Sequence, residues 1–111
     1  MSVAIIIDSE EYEDFYICVS GEASYMKYWC PAIEALGLAL KWAPYFQSGC
    51  TFDKKDWPRI AKEMLLIKDW ILTHLGEEEK QQAAWFCDRF DQIINQVNAH
   101  FMLDNRRLWI G

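Results

Sequence analysis

DWPRIAKEMLLIKDWILTHLG, residues 56–76, opens on a capping acid and a first-turn proline and closes on a glycine. Asp56 suits the position that accepts from the free amides of a helix N-terminus. Pro58 is tolerated in a first turn, where no intrahelical N–H is needed. Gly76 suits the terminator position. Between these signals Trp57, Ile60, Ala61, Met64, Ile67, Ile71 and Leu75 recur at helical spacing and define one apolar face. Glu77, Glu78 and Glu79 follow, where negative charge favours the start of another helix. Beyond them Ala83, Cys87, Phe90, Ile94, Val97 and Phe101 form a second stripe. Two long helices joined through so short a turn are expected to pack antiparallel, stripe against stripe.

Working outward from this stretch, Asp104-Asn105 reads as a turn and Arg106 to Ile110 as a final strand. At the other end Val3-Ala4-Ile5-Ile6-Ile7 is a β-branched run suited to a buried strand, and Phe15 to Val19 reads as a second. The acids from Asp8 to Asp14 between them fit a hairpin connection. Gly21 closes the second strand. Ser24 to Leu36 is helical in character, with a break expected at Pro31 and a short second piece ending at Gly37. Leu38 to Trp42 reads as a short strand, followed by an irregular loop around Pro44, Gly49 and Cys50. No repeat, low-complexity tract or linker interrupts the chain. The expected fold is α+β: one domain over 1–111, a small antiparallel sheet packed against an antiparallel pair of long C-terminal helices.

Hydrophobic residues make up 52% of the 111, with six Trp, six Phe and five Tyr, which sets the chain apart from disordered sequences. Such aromatic content is either core or displayed for binding. No apolar run approaches the roughly 20 residues that cross a bilayer. The N-terminus lacks a basic segment and Asp8 interrupts its apolar run, so no signal peptide is expected and the predicted compartment is the cytoplasm. Cys18, Cys30, Cys50 and Cys87 form no CxxC pair, and His74 and His100 lie far apart, so no metal site is expected. Phosphate loops, GxSxG and HExxH are missing, and no cofactor is predicted. A thiolate and base drawn from Cys30, Cys50, His74 and His100 is one catalytic reading. His74 and His100, however, fall near predicted helix ends, where histidine commonly meets terminal carbonyls. A carboxylate pair drawn from Glu10, Glu11, Glu13 or Asp14 has no burial to separate two pKa values. The chain is not expected to be an enzyme.

Charge is distributed unevenly. Asp8, Glu10, Glu11, Glu13, Asp14 and Glu22 precede the first cation, Lys27, and account for the whole net charge of −6. A one-signed field of this kind attracts cationic partners and repels nucleic acid. The small basic group Lys54, Lys55, Arg59 and Lys62 reads as a solvated face compensating Asp53, Asp56 and Glu63. Tyr12 and Tyr16 supply rigid contact area beside the acids, as binding surfaces often do. Glu10, Glu11, Tyr12, Glu13, Asp14 and Tyr16 are therefore the candidate partner-binding residues, facing a basic protein surface.

Three stretches carry a resemblance: Pro31-Ala32-Ile33-Glu34-Ala35-Leu36-Gly37-Leu38, Phe52-Asp53-Lys54-Lys55-Asp56-Trp57-Pro58, and Leu108-Trp109-Ile110-Gly111. With them the chain resembles small, acidic, Trp-rich bacterial immunity proteins, the inhibitors of polymorphic and contact-dependent growth-inhibition toxins. The resemblance implies a class of role, with neither catalytic residues nor a cofactor. Its implied partner is a cognate toxin domain, often a nuclease with a basic cleft, neutralised by stoichiometric occlusion. The free chain would be a monomer or weak dimer. A small adaptor or subunit of a larger assembly is the alternative, and a thiol-dependent enzyme the third reading.

Overall fold

Val3–Ile7 forms β1 at the middle of a sheet in the computed structural model, which describes residues 3–7 and 16–111. An interior strand suits this run, because β-branched side chains fill both faces of a pleat and none of its five residues is polar. β2 is Tyr16–Ser20, β3 is Cys50–Phe52 and β4 is Leu108–Ile110. The order is β2-β1-β4-β3, with every neighbour antiparallel. Gly111 extends the β1–β4 ladder by exchanging backbone hydrogen bonds with Ala4 at 2.9 and 3.0 Å. Between β2 and β3 runs a helical stretch made of α1 (Glu22–Ser24), a π-helical segment Tyr25–Trp29 and α2 (Cys30–Leu36). α3 spans Trp57–Thr73, and α4, the longest element, spans Ala83–Leu103.

The chain is thus α+β, a four-stranded antiparallel sheet with helices and a long helix near the C-terminal end. Val3, Ile5, Ile7, Ile17, Val19, Phe52, Leu108 and Ile110 leave the sheet on one side. There they join Trp29, Ile60, Met64, Ile67, Phe86, Phe90, Ile93 and Val97 in one apolar cluster. α3 and α4 meet where Trp57 Nε1 donates to Asn98 Oδ1 at 2.6 Å and where Lys68 faces Asp91 at 3.7 Å.

Several elements differ from the sequence reading. The helix does not break at Pro31. The preceding turn widens instead, with Cys30 N–H donating to the Tyr25 carbonyl five residues back, and this places Pro31 in the first turn of α2. There a missing amide costs nothing. Leu38 to Trp42 is not a strand. Residues Gly37–Ala39 make a tight turn, and the polar groups beyond it are taken by α3, so no ladder can form. The strand lies instead at Cys50–Phe52, inside the stretch read as irregular. α3 ends at Thr73, and Glu77–Gln82 is a 3-10 segment before α4 begins.

The buried face of α4 is also rotated from the expected stripe. Phe86, Phe90, Ile93, Val97, His100 and Phe101 are buried, while Ala83, Cys87 and Ile94 flank them. Neighbouring helical residues differ by about 100° in direction, so adjacent Ile93 and Ile94 compete for one face. Aromatic packing decides the competition. Phe90 stacks on Trp29 at 4.8 Å, and Phe86 meets the edge of Tyr28 at the same separation.

Candidate protein-binding surface

Alternation along each strand sends a second set of side chains to the face of the sheet away from the core. They are Tyr16 and Cys18 on β2, Ala4 and Ile6 on β1, Trp109 on β4 and Thr51 on β3. Ile6 is paired with both Tyr16 and Trp109, and Trp109 with Thr51, so these four residues stand in one row across all four strands. Nothing in the set carries a charge. Tyr16 is 61% exposed, and Ile6, Cys18, Thr51 and Trp109 are half-buried. Sheets covered on one side ordinarily turn polar residues to the other. This one does not.

Trp109 lies against Gly49 and Gly111. A methyl group on Gly49 would stand 2.7 Å from the indole Cζ2, and the residue's φ of +99° suits glycine alone. The absence of side chains at these two positions lets the largest ring in the row lie close to backbone. At the other edge Arg89 of α4 donates to the Cys18 carbonyl at 3.1 Å and stands 5.4 Å from the centre of the Trp85 ring. A cation thus closes part of the open edge of β2, a common protection against stray strand pairing.

Of the sequence-predicted site residues, Tyr16 belongs to this face. Glu10, Glu11, Tyr12, Glu13 and Asp14 lie outside the described residues, as does the expected hairpin connection and Phe15. Along the chain they join Ile7 to Tyr16. Ile6, Thr51 and Trp109 were missed by the sequence reading. A usable signal existed in β1, where Ala4 and Ile6 occupy the positions that a one-sided strand would give to polar residues.

Elsewhere an apolar cleft of about 380 Å³ opens between the start of α3 and the end of α4, lined by Lys54, Trp57, Pro58, Asn98, Phe101 and Met102. Met102 and Leu103 beside it are largely exposed. Among the described residues the titratable groups do not converge on either surface. Glu63, read as part of a solvated face, is fully buried, because the segment after α2 folds over it. Glu79 accepts from the Tyr28 hydroxyl and pairs with Lys27 at 3.2 Å, and these contacts hold its carboxyl below the usual range. His74 stacks on Trp70 at 4.0 Å with Nδ1 2.8 Å from the Trp70 carbonyl, and His100 Nε2 lies 2.9 Å from the Arg106 carbonyl. Burial pushes the Cys30 and Cys50 thiols up, opposite to the shift that makes a nucleophilic thiolate. Among the described residues no group of three or more His, Cys, Asp or Glu is placed to hold a metal ion, and no helix is long and apolar enough to cross a membrane.

No protein-family model, curated protein or solved structure matches this chain.

Proposed function

We propose that this chain is an immunity protein, a stoichiometric inhibitor that captures a cationic toxin domain in the cytoplasm. Glu10, Glu11, Glu13 and Asp14 make the charge contacts, and Tyr12 and Tyr16 are the aromatic anchors. The observation that carries the reading is the run of six acids before the first cation, five of them in the stretch of sequence that joins β1 to β2. Nuclease clefts are basic because they hold phosphates, and carboxylates entering such a cleft imitate the substrate. Opposite charge also speeds capture, which matters when a toxin must be stopped before it acts. In this reading the sheet presents the contact surface, and α3 and α4, packed as an antiparallel pair, stiffen it from behind. No chemistry is assigned to the chain itself.

The test is co-expression. The C-terminal portion of the product encoded immediately upstream is expressed in bacteria with and without this chain. Growth arrest that the chain relieves supports immunity. Arrest that it cannot relieve, or no arrest, favours the second reading, a subunit of a larger assembly docked through an apolar surface. The cleft beside Met102 and Leu103 is the observation that favours that alternative.

A further inference from the structure

We infer that the cleft between the start of α3 and the end of α4 is a binding site for a small apolar monocarboxylate. The inference goes beyond the immunity reading and does not rest on it.

The base of the cleft is preformed. Trp57 and Phe101, which line it, are only 5% and 4% exposed and so lie recessed below its mouth. Both rings pack on Phe52, at separations of 5.8 and 6.2 Å. Trp57 is held further by its Nε1, which donates to Asn98 Oδ1 at 2.6 Å. Pro58 and Met102 add apolar walls. At about 380 Å³ the cleft has the size of a small-molecule site, and such sites combine an apolar lining with a few polar groups that set orientation.

The polar groups here are of one kind. An indole N–H can only donate, so Asn98 must turn its oxygen to Trp57, which leaves its amide nitrogen, a donor, as the free end. Lys54, the other polar side chain lining the cleft, is an ammonium with donors and no acceptor. Neither the Lys54 ammonium nor the Asn98 nitrogen has a partner among the described residues. Acids near them in sequence are committed elsewhere. Asp53 accepts from the amides of Lys55 and Asp56, Asp56 accepts from that of Asp53, and Asp104 pairs with Arg106 at 2.7 Å. Among the described residues no carboxylate lines the cleft.

Two unmet donors, one of them cationic, beside an aromatic base select a ligand with an apolar body and an anionic acceptor. A carboxylate brings two acceptor oxygens, enough for both donors, and its bond to Lys54 is charge-assisted. A cationic ligand would be repelled by Lys54. A protein partner fits less well, because stable interfaces engage about 20–30 residues a side and recessed rings are reached more readily by a narrow ligand.

The experiment titrates the full-length, nitrogen-labelled chain with phenylbutyrate and with its uncharged analogue phenylbutyramide, following the Trp57 indole N–H and the Asn98 side-chain amide by NMR. Both signals are expected to shift with phenylbutyrate at a Kd of about 1 mM or tighter, with phenylbutyramide about fivefold or more weaker. Lys54→Met keeps an apolar stem and removes the charge. It is expected to weaken phenylbutyrate about fivefold or more while leaving phenylbutyramide within about twofold. Asn98→Asp keeps an acceptor for Trp57 but replaces the donor with a repelling carboxylate, so the Trp57 signal should report phenylbutyrate binding weakened about tenfold or more. Equal binding of the two compounds, an unchanged Kd in Lys54→Met, or no shift of either signal at about 10 mM overturns the inference. Shifts of the same signals on simple dilution of the free chain also overturn it, because the cleft then belongs to a second copy. If Asn98→Asp fails to fold, Lys54→Met decides alone.

Discussion

Glu63 lies fully buried on α3, with Oε1 accepting from the amides of Trp42 and Ala43 at 2.9 and 3.0 Å and Oε2 from Arg59 Nε at 3.0 Å. Arg59 also donates to the Ala39 carbonyl at 2.8 Å, so the pair ties the whole turn after α2 to one face of the helix. Burial pushes this carboxyl up, but the backbone amides and the guanidinium outweigh it and hold it below the ordinary carboxylate range. A carboxyl held below its unfolded value stabilises the fold fully above that value and loses its contribution as pH falls through the folded one. Glu63→Ala is expected to cost about 3 kcal/mol in urea unfolding near neutrality, since it leaves buried donors unmet. The variant's stability should also fall less steeply than the wild type's as the solution is acidified below the ordinary carboxylate range. Tyr25 gives the opposite case. Its hydroxyl is buried with no hydrogen-bond partner among the described residues, while its ring stacks on Trp29 at 5.4 Å. Tyr25→Phe keeps the stack and removes the unmet group, so stability should hold or rise by up to about 1 kcal/mol, read from the thermal midpoint. Neither role was legible in the sequence. Arg59 and Glu63 at helical spacing look like an exposed ion pair, and only the fold of an earlier turn, residues 39–43, over them says otherwise.

Helix existence was legible because apolar residues recur at helical spacing after Trp57-Pro58. The end signals and the full face were not: Asp56 makes no side-chain cap bond, α3 stops at Thr73 short of Gly76, and Ala61 and Leu75 fall outside a buried face that takes in Glu63 instead. The rotation of α4 was not, since its sequence offers apolar residues on two adjacent lines and the choice is made by Trp29 and Tyr28 from another element. The three-residue strand β3 was hidden for a related reason. Its sequence, Cys-Thr-Phe, is too short to show a period, and it is a strand because β4 is beside it. Gly49 leads into β3 in a backbone conformation that other residues resist, under the Trp109 ring. Gly49→Ala must both strain that backbone and displace the indole. A loss of about 2 kcal/mol is expected, accompanied by a change in tryptophan emission that a purely local backbone effect would not produce.

At the scale of the molecule the partner sign that we propose was readable from charge order alone, because the acids cluster within one short stretch of chain. The row of Ile6, Thr51 and Trp109 was not, because these residues are brought together only by strand order. The fourfold amide variant of Glu10, Glu11, Glu13 and Asp14 should keep the fold by circular dichroism while lowering the association rate by about tenfold or more at low salt and flattening its dependence on ionic strength. Unchanged kinetics would remove these acids from the interface. The same strand order governs how the chain is made. β1 and β3 share β4 as a neighbour, and β4 is Leu108–Ile110. A ribosome therefore synthesises the apolar β1 run, the β3 edge and both long helices before the strand that unites them. Until then the sheet is two fragments with open edges, a state suited to capture by chaperones or proteases. Nascent chains stalled before Leu108 should be cut readily by added protease, whereas chains extended until Gly111 has cleared the exit tunnel should resist.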